Sequence, residues 1–398
     1  MSVPAHSGWS VHGAALALGA GVSLLIAYYG GLRDGCGCAF PRKPDFQYPL
    51  AGYFDNYAQH PRLAAALQRT CEEGSSILLL GSSELTTADH PSKPSIFFNQ
   101  HLNVPLLALG HAGNQSFSMH AQLISTGADL DRAKLAILVS PSWFVDRSGL
   151  TGTELATFLE YQPSPSLYRI QQRMEAEDPL VRPVATFMAE HAHELGAAQP
   201  VAQWITRDAS ATGRLLYAFS QPWNAAIIHA TRAGMLRDPD FENVPTSPRR
   251  DLAPSAWDTL YRNAVQEHLA QCTNNKVFVY DAYYAEHVQG RTRLLEPLDP
   301  EQNRELHDLI ALLDYLKDRH ANPFFILQPL NPYVYTNLKE VEPTIDRIRQ
   351  ELDARAFTYL DLWVDDTADF QPGVLTDVMH LGPLGWYRID SALAAYFP

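Results

Sequence analysis

Short, uninterrupted apolar runs are the feature that most constrains the fold of this chain. Strands that are apolar on both faces need cover on both faces, and helices between them let neighbouring strands run parallel. Helical patterns at 301–319 and 343–355 separate several of the runs. The sequence therefore predicts an α/β fold with a doubly wound, mostly parallel sheet. The runs are Ser76–Leu80, Val104–Leu109, Leu135–Val139, Val277–Tyr280, Pro323–Leu327 and Phe357–Leu360.

The region from about 149 to 270 differs in character from the rest. It is rich in Pro, Ala, Trp and Tyr, and it has helical periodicity but few strand patterns. We interpret it as a helical insertion within a catalytic domain that spans 76–398. Residues 31–75, which begin with a Gly-, Pro- and Cys-rich stretch, are predicted to form a linker and a lead-in helix.

An apolar segment from Trp9 to Tyr29 contains His12 as its only ionisable side chain. A helix needs roughly 20 residues to cross the hydrocarbon core of a bilayer. We therefore predict one transmembrane helix, a membrane anchor over 1–30. The alternative is a cleaved signal peptide, which typically has a shorter apolar core preceded by Lys or Arg. Basic residues such as Arg33 follow the segment, so charge alone does not favour a body on the outer side.

The charge balance excludes one class of partner. The chain has 30 basic and 44 acidic residues and a net charge of −14, without a cluster of Lys and Arg. Neutralising nucleic-acid phosphates requires a basic face, so we expect no nucleic-acid partner. The four cysteines do not form a paired zinc-binding pattern. We expect neither a metal nor a cofactor.

Two motifs carry side chains suited to acyl chemistry. Gly81-Ser82-Ser83-Glu84 follows the first apolar run, which places hydroxyl groups at the carboxyl end of a strand. Such a turn also occurs as an ordinary helix cap. Asp377 precedes His380 by three residues, a spacing that lets the carboxylate orient the imidazole. The His could then accept the proton of a serine hydroxyl.

Together these motifs resemble the two ends of the SGNH-hydrolase pattern, whose fold is flavodoxin-like. Four segments in the same order resemble those of one branch, the DltD family of D-alanyl transfer proteins. They are GSSEL at 81–85, SPSWF at 140–144, QPLNPYVYT at 328–336 and DVMHLGPLGW at 377–386.

The resemblance implies roles for individual residues. Ser83 would be the nucleophile, His380 the general base and acid, and Asp377 its orienting carboxylate. Ser82 stays open as a second nucleophile candidate. The oxyanion would be bound by the Ser83 N–H and by a glycine after the second strand. Further candidates for the oxyanion or substrate site are Gly110, Gly113, Asn114 and Asn331.

One segment departs from the wider SGNH pattern. The sequence at 140–144 is SPSWF, where a Gly-x-Asn-Asp run would complete the oxyanion hole. Losing one oxyanion donor costs about a hundredfold in rate, so this departure argues against an ordinary esterase. We hypothesise that Asn114 replaces the missing donor.

The DltD resemblance also implies a location, partners and a reaction. The catalytic domain would face the extracellular or periplasmic side of the cytoplasmic membrane. It would work with a DltB-like membrane-bound O-acyltransferase, with acyl groups that come ultimately from an acyl-carrier protein. The acceptor would be teichoic acid or another envelope glycan. Two alternatives remain: a polysaccharide O-acetyltransferase or esterase, and a non-catalytic docking subunit of the acyltransferase complex.

Overall fold

A computed structural model of the protein describes residues 70–155, 178–191 and 248–397, together with residues 21, 67, 68, 157, 158 and 170. Its described strands form one five-stranded sheet in which every neighbouring pair is parallel. The order is β2-β1-β3-β4-β5, which is the flavodoxin-like order. The predicted parallel α/β sheet is confirmed. The strands are β1 (Ile77–Gly81), β2 (Leu106–Gly110), β3 (Lys134–Val139), β4 (Phe324–Leu327) and β5 (Thr358–Asp361).

Helices connect and cover these strands. Short 3-10 helices follow β1 at Ser83–Thr86 and β3 at Pro141–Phe144. A π-helical turn, Phe98–Leu102, extends the first α-helix, and another, Tyr284–Val288, extends the sixth. The α-helices are α1 (Pro94–Phe97), α2 (Ser116–Thr126), α3 (Asp146–Thr151), α4 (Arg182–Glu190), α5 (Pro254–Gln271), α6 (Asp281–Tyr283), α7 (Arg304–Asp318), α8 (Glu342–Ala354) and α9 (Pro383–Tyr396).

Strands β1 to β4 are buried on both faces of the sheet, and their successive side chains point to opposite sides. In β1, Leu78 and Leu80 join a core that includes residues of α2, α4, α7 and α8. Ile77 and Leu79 join a second core, with residues of α1 and α9. All five residues of β1 are buried. The two apolar faces of these four strands therefore produce a doubly wound layer, whereas the edge strand β5 is exposed or half-buried. The carboxyl ends of the strands remain available for a site.

One of the six predicted strands is wrong. Val277–Tyr280 is irregular, and Phe278 has a left-handed φ of 56° that a strand does not accept. The Val279 N–H donates to Asn275 Oδ1 at 3.3 Å, where a strand would donate to a neighbour's carbonyl. Val279 and Phe278 pack into different cores. The run is apolar because this loop fills both cores.

The predicted transmembrane helix lies outside the described residues, apart from Gly21. Within the part of the chain that the structure describes, no helix has both the length and the apolar character needed to cross a membrane. The predicted linker and lead-in helix also fall mostly outside the described ranges. In the predicted insertion between β3 and β4, the described elements include α4 and α5.

Candidate active site

A tight turn carries the candidate nucleophile from the end of β1. Gly81 ends the strand and pairs with Gly110 of β2, and a Cβ on Gly110 would lie 2.5 Å from the Gly81 carbonyl oxygen. The two backbones can approach this closely only without that Cβ. Ser82 is 3% exposed, whereas Ser83, the first residue of the 3-10 helix, is half-buried. The turn therefore presents the Ser83 hydroxyl at the carboxyl edge of the sheet.

A short loop before α9 holds the acid–base pair. Leu375 and Leu381 form an antiparallel bridge, and the Thr376 N–H donates to the His380 carbonyl at 2.9 Å. Inside this loop, Asp377 Oδ1 accepts the backbone N–H groups of Met379 and His380, both at 2.8 Å. Local hydrogen bonds therefore fix the carboxylate three residues from the imidazole that it faces.

Ser83, His380 and Asp377 form one chain of hydrogen bonds. His380 Nδ1 lies 2.7 Å from Asp377 Oδ2, and His380 Nε2 lies 3.1 Å from Ser83 Oγ. An ionised carboxylate can only accept, so the Nδ1–H donates to it and Nε2 is left to accept the Ser83 O–H. This tautomer is the one in which the His can remove the serine proton.

Electrostatics strengthen the pair. Burial by itself would lower the pKa of His380, but the hydrogen bond and charge of Asp377, with a contribution from Glu84, raise it above its usual value. Burial would likewise raise the pKa of Asp377, but the hydrogen bond and charge of His380 and two backbone N–H donors lower it. The ion-pair state, which forms when the imidazole takes a proton, is therefore favoured in the site.

The second nucleophile candidate points elsewhere. The Ser82 hydroxyl donates to the His111 carbonyl at 3.1 Å, and its N–H donates to Glu84 Oε1 at 2.6 Å. Of the two serines, only Ser83 has its hydroxyl on the His380 ring.

Two backbone N–H groups are candidate oxyanion donors. Across the described residues, the N–H groups of Ser83 and Gly113 have no hydrogen-bond acceptor in the protein. Gly113 lies in the turn after β2 with a φ of +84°, and a Cβ there would meet Thr157 Oγ1 at 2.8 Å. Gly110 instead lies within β2, beside Gly81. Of the two predicted glycines, Gly113 is the one in the loop beyond the strand.

The two predicted asparagines hold backbone segments around the site. Asn114 is fully buried, and its Nδ2 donates to the Gly81 carbonyl at 2.8 Å, so one of its two amide protons is engaged at the end of β1. Asn331 is also fully buried, and its Nδ2 donates to the Val277 carbonyl at 2.9 Å. The Asn331 N–H donates to the Val378 carbonyl at 3.0 Å, inside the loop that carries the acid–base pair.

The SPSWF segment at 140–144 forms a closed turn. Ser140 Oγ and Ser142 Oγ lie 2.9 Å apart, and the Trp143 N–H donates to the Ser140 carbonyl at 3.1 Å. This segment therefore provides the hydroxyl groups of Ser140 and Ser142, whereas the wider SGNH pattern has the side-chain amide of an asparagine.

Two buried ionisable side chains at the nucleophile turn are not among the predicted site residues. Glu84 is 2% exposed and Lys93 is 1% exposed. Lys93 Nζ donates to the carbonyl of Leu85, inside the 3-10 helix, at 3.0 Å and to that of Thr87, just after the helix, at 2.6 Å. The position of Glu84 next to Ser83 was a visible signal for one of them. Nothing in the sequence around Lys93 indicated the other.

The fold and the site define a parallel α/β protein with a Ser–His–Asp chain of hydrogen bonds at the carboxyl edge of its sheet. The chain belongs to the DltD family, whose model, described as DltD protein, matches residues 58–398. It is 24% identical over 332 residues to protein DltD of Staphylococcus aureus (strain NCTC 8325 / PS 47), covering 80% of each chain. It is 22% identical over 345 residues to protein DltD of Bacillus subtilis (strain 168), covering 80% of this chain and 81% of the relative. The family resemblance read from the four sequence segments is confirmed.

Proposed function

We propose that this protein transfers D-alanyl groups to a cell-envelope polymer through a covalent ester on Ser83. Membership of the DltD family supports a role in D-alanylation of teichoic acid in the cell envelope. The observation that carries the serine mechanism is the hydrogen-bonded chain from Ser83 through His380 to Asp377. A serine hydroxyl on a neutral imidazole, itself oriented by a carboxylate, is the arrangement that acyl transfer requires.

In the first half-reaction, Ser83 Oγ attacks the carbonyl carbon of a D-alanyl ester or thioester. His380 Nε2 takes the hydroxyl proton, and the negative charge moves onto the carbonyl oxygen. The N–H groups of Ser83 and Gly113 are the proposed donors to that oxyanion. When the tetrahedral intermediate collapses, the leaving thiol or alcohol receives the proton from His380, and the D-alanyl group remains on Ser83.

The second half-reaction reverses these roles. A hydroxyl of the acceptor polymer attacks the seryl ester, and His380 takes its proton. As the new ester forms on the polymer, Ser83 Oγ leaves and recovers the proton from His380. Asp377 stays ionised throughout and stabilises the imidazolium in both halves. Atoms and charges balance without a cofactor.

The setting of this reaction is also part of the proposal. The apolar segment Trp9–Tyr29 would anchor the chain in the cytoplasmic membrane, with the catalytic domain on the outer side. A DltB-like membrane-bound O-acyltransferase would supply acyl groups that derive from an acyl-carrier protein. Teichoic acid or a related envelope glycan would be the acceptor.

Cells that carry single variants of the protein test the covalent step. Ser83→Ala should abolish ester-linked D-alanine on the envelope polymer, because it removes the attacking oxygen. Ser82→Ala is the matched control, since its hydroxyl bonds to a backbone carbonyl and not to His380. Protein levels and thermal unfolding should be similar for the two variants.

The same cells separate the remaining functions. Unchanged D-alanylation with Ser83→Ala would contradict the covalent mechanism and leave the docking-subunit function. Loss of O-acetyl groups, with D-alanine unaffected, would instead identify a polysaccharide O-acetyltransferase or esterase. Mass spectrometry of the wild-type protein isolated from these cells adds a direct measurement. The covalent mechanism predicts a D-alanyl mass increment on the peptide that contains Ser83.

A further inference from the structure

Glu84 is a buried carboxylate directly beside the proposed nucleophile. It is 2% exposed, and its Oε1 accepts the N–H of Ser82 at 2.6 Å. A Cβ on Gly81 would lie 2.6 Å from the same oxygen, so the absence of a side chain at Gly81 leaves the space that this oxygen occupies. A carboxylate is costly to bury, and one that is retained needs compensating interactions.

Part of the compensation comes from the active site. Burial raises the pKa of Glu84 above its usual value, and the N–H groups of Ser82 and Glu84, the positive charge of His380 and the Gln328 side chain oppose this rise only in part. In return, the Glu84 charge adds to that of Asp377 in raising the pKa of His380. No Lys or Arg forms an ion pair with Glu84 in the described residues. Within the described residues, the protonated imidazole of His380 is therefore the positive charge that the Glu84 carboxylate can stabilise.

Capping of the helix explains only part of Glu84. Ser82 is the N-cap of the four-residue 3-10 helix Ser83–Thr86, and its side chain makes no cap hydrogen bond. The Glu84 oxygen accepts the N–H of this N-cap residue, as a first-turn glutamate does in a capping box. This bond orients the Gly81–Ser82 peptide, one peptide before the proposed oxyanion donor, the Ser83 N–H.

We propose that Glu84 is a positioning residue that holds the Gly81–Ser82 peptide before Ser83 and supplies a second buried negative charge to His380 when the imidazolium forms. The inference builds on the proposed function. When His380 takes the Ser83 proton, the imidazolium has Asp377 at Nδ1 and the Glu84 charge nearby. Glu84 neither forms nor breaks a bond in the reaction. It acts through Ser82 and His380.

Two substitutions separate the two roles. Glu84→Gln keeps an oxygen that can accept the Ser82 N–H but removes the charge, whereas Glu84→Leu removes both. Glu301→Gln is the matched control, because Glu301 is exposed and remote from the triad in sequence and contacts. The full chain is purified in detergent, and the rate of Ser83 labelling by a fluorophosphonate is measured across pH. In labelling, Ser83 Oγ bonds to phosphorus, fluoride leaves, and His380 takes the proton.

A second readout does not depend on activity. The titration of His380 is followed by NMR of histidine-labelled protein, with the resonance assigned from a His380→Gln variant. We expect Glu84→Gln to lower the pKa of His380 and to move the acid limb of the labelling profile to lower pH. We expect Glu84→Leu to slow labelling about tenfold to a hundredfold at every pH, since the serine turn is misplaced. Glu301→Gln should match the wild type in both measurements.

Two results would overturn the inference. One is a His380 titration in Glu84→Gln that is identical to the wild type. The other is a wild-type labelling rate in Glu84→Leu. A wild-type protein that does not label at Ser83 would refute the proposed function, and the His380 titration would still decide the role of Glu84.

Discussion

The hydroxyl of Ser83 lies 3.1 Å from Nε2 of His380, although 297 positions separate the two residues. Ser83 follows β1 near the middle of the sheet, and His380 lies in a loop between β5 and α9. Parallel strands bring their carboxyl ends to one edge, which places the end of β1 and the segment after β5 at the same rim. The hydrogen bond from the Asn331 N–H to the Val378 carbonyl then holds the loop of His380 against the segment after β4.

Asp377→Asn should impair Ser83 labelling about ten-thousandfold while the fold is kept. The Asn oxygen can still accept the N–H groups of Met379 and His380, which leaves its NH2 facing Nδ1 of the ring. Nδ1 must then be unprotonated, and Nε2 carries the hydrogen and cannot take the Ser83 proton. Labelling kinetics measure the effect, with the exposed Asp369→Asn as control. A reduction of less than tenfold would exclude the proposed tautomer.

The stability contributed by His380 should decrease as the pH rises. Its pKa in the folded protein is raised above the unfolded value, so its contribution is complete below about pH 6.5 and is lost as the pH passes the raised pKa. Urea unfolding of the wild type and His380→Gln should therefore show a larger difference in free energy at about pH 6 than at about pH 9. A difference that grows with pH would contradict this assignment.

Lys93→Met should destabilise the protein by about 1–3 kcal/mol at neutral pH, because the carbonyls of Leu85 and Thr87 lose a buried donor. Burial lowers the pKa of Lys93 to about 8, against the opposing charge of Asp89. The folded state therefore binds this proton less tightly than the unfolded chain, and the wild type gains stability between about pH 8 and pH 10.5.

Urea unfolding at neutral and alkaline pH tests both parts of the Lys93 prediction. The free-energy difference between the wild type and Lys93→Met should be larger at about pH 10 than at about pH 7. Lys339→Met, at an exposed lysine, should change neither value by more than about 0.5 kcal/mol. A Lys93→Met protein as stable as this control would show that the two carbonyls do not depend on the lysine.

Gly110→Ala should cost about 1–3 kcal/mol of unfolding free energy, since the added Cβ would lie 2.5 Å from a backbone oxygen that cannot rotate away. Gly290→Ala is an informative comparison: its φ is +71°, but a Cβ there meets nothing within 4 Å. We expect that change to cost about 1–2 kcal/mol from its backbone conformation alone. Thermal or urea unfolding measures both variants, and a Gly110→Ala protein as stable as the wild type would contradict the close approach of β1 and β2.

The sheet was predictable because β1 to β4 are apolar on both faces. Five of the predicted runs became strands whose ends differ by no more than two residues from the prediction. The run at Val277–Tyr280 was misread because a loop that fills two cores has the same composition as a buried strand. An apolar sequence indicates that a segment is buried, but it does not give the backbone conformation. Here the positive φ of Phe278 excludes strand pairing.

The residues of the Ser–His–Asp chain were also predictable, because two short motifs and a known strand order place them at one edge. The surroundings were not. Lys93 lies ten positions after Ser83 in an irregular segment, and its role depends on carbonyl groups that a sequence does not locate. Asn331 stays a predicted oxyanion or substrate residue, and its amide also joins the segments at Val277 and Tyr333, which the sequence did not indicate. Long-range backbone contacts of this kind follow from the three-dimensional path alone.

The bridge between Leu375 and Leu381 encloses the carboxylate and the imidazole in one small loop, so that pair assembles from neighbours in the chain. The serine reaches it only through the completed sheet. Partial opening of the molecule that separates the sheet from this loop would therefore leave Asp377 and His380 in contact, while Ser83 would lose its hydrogen bond to the imidazole. The hydrogen bond between Ser83 and His380 is therefore the first part of the site that a loss of tertiary structure would remove.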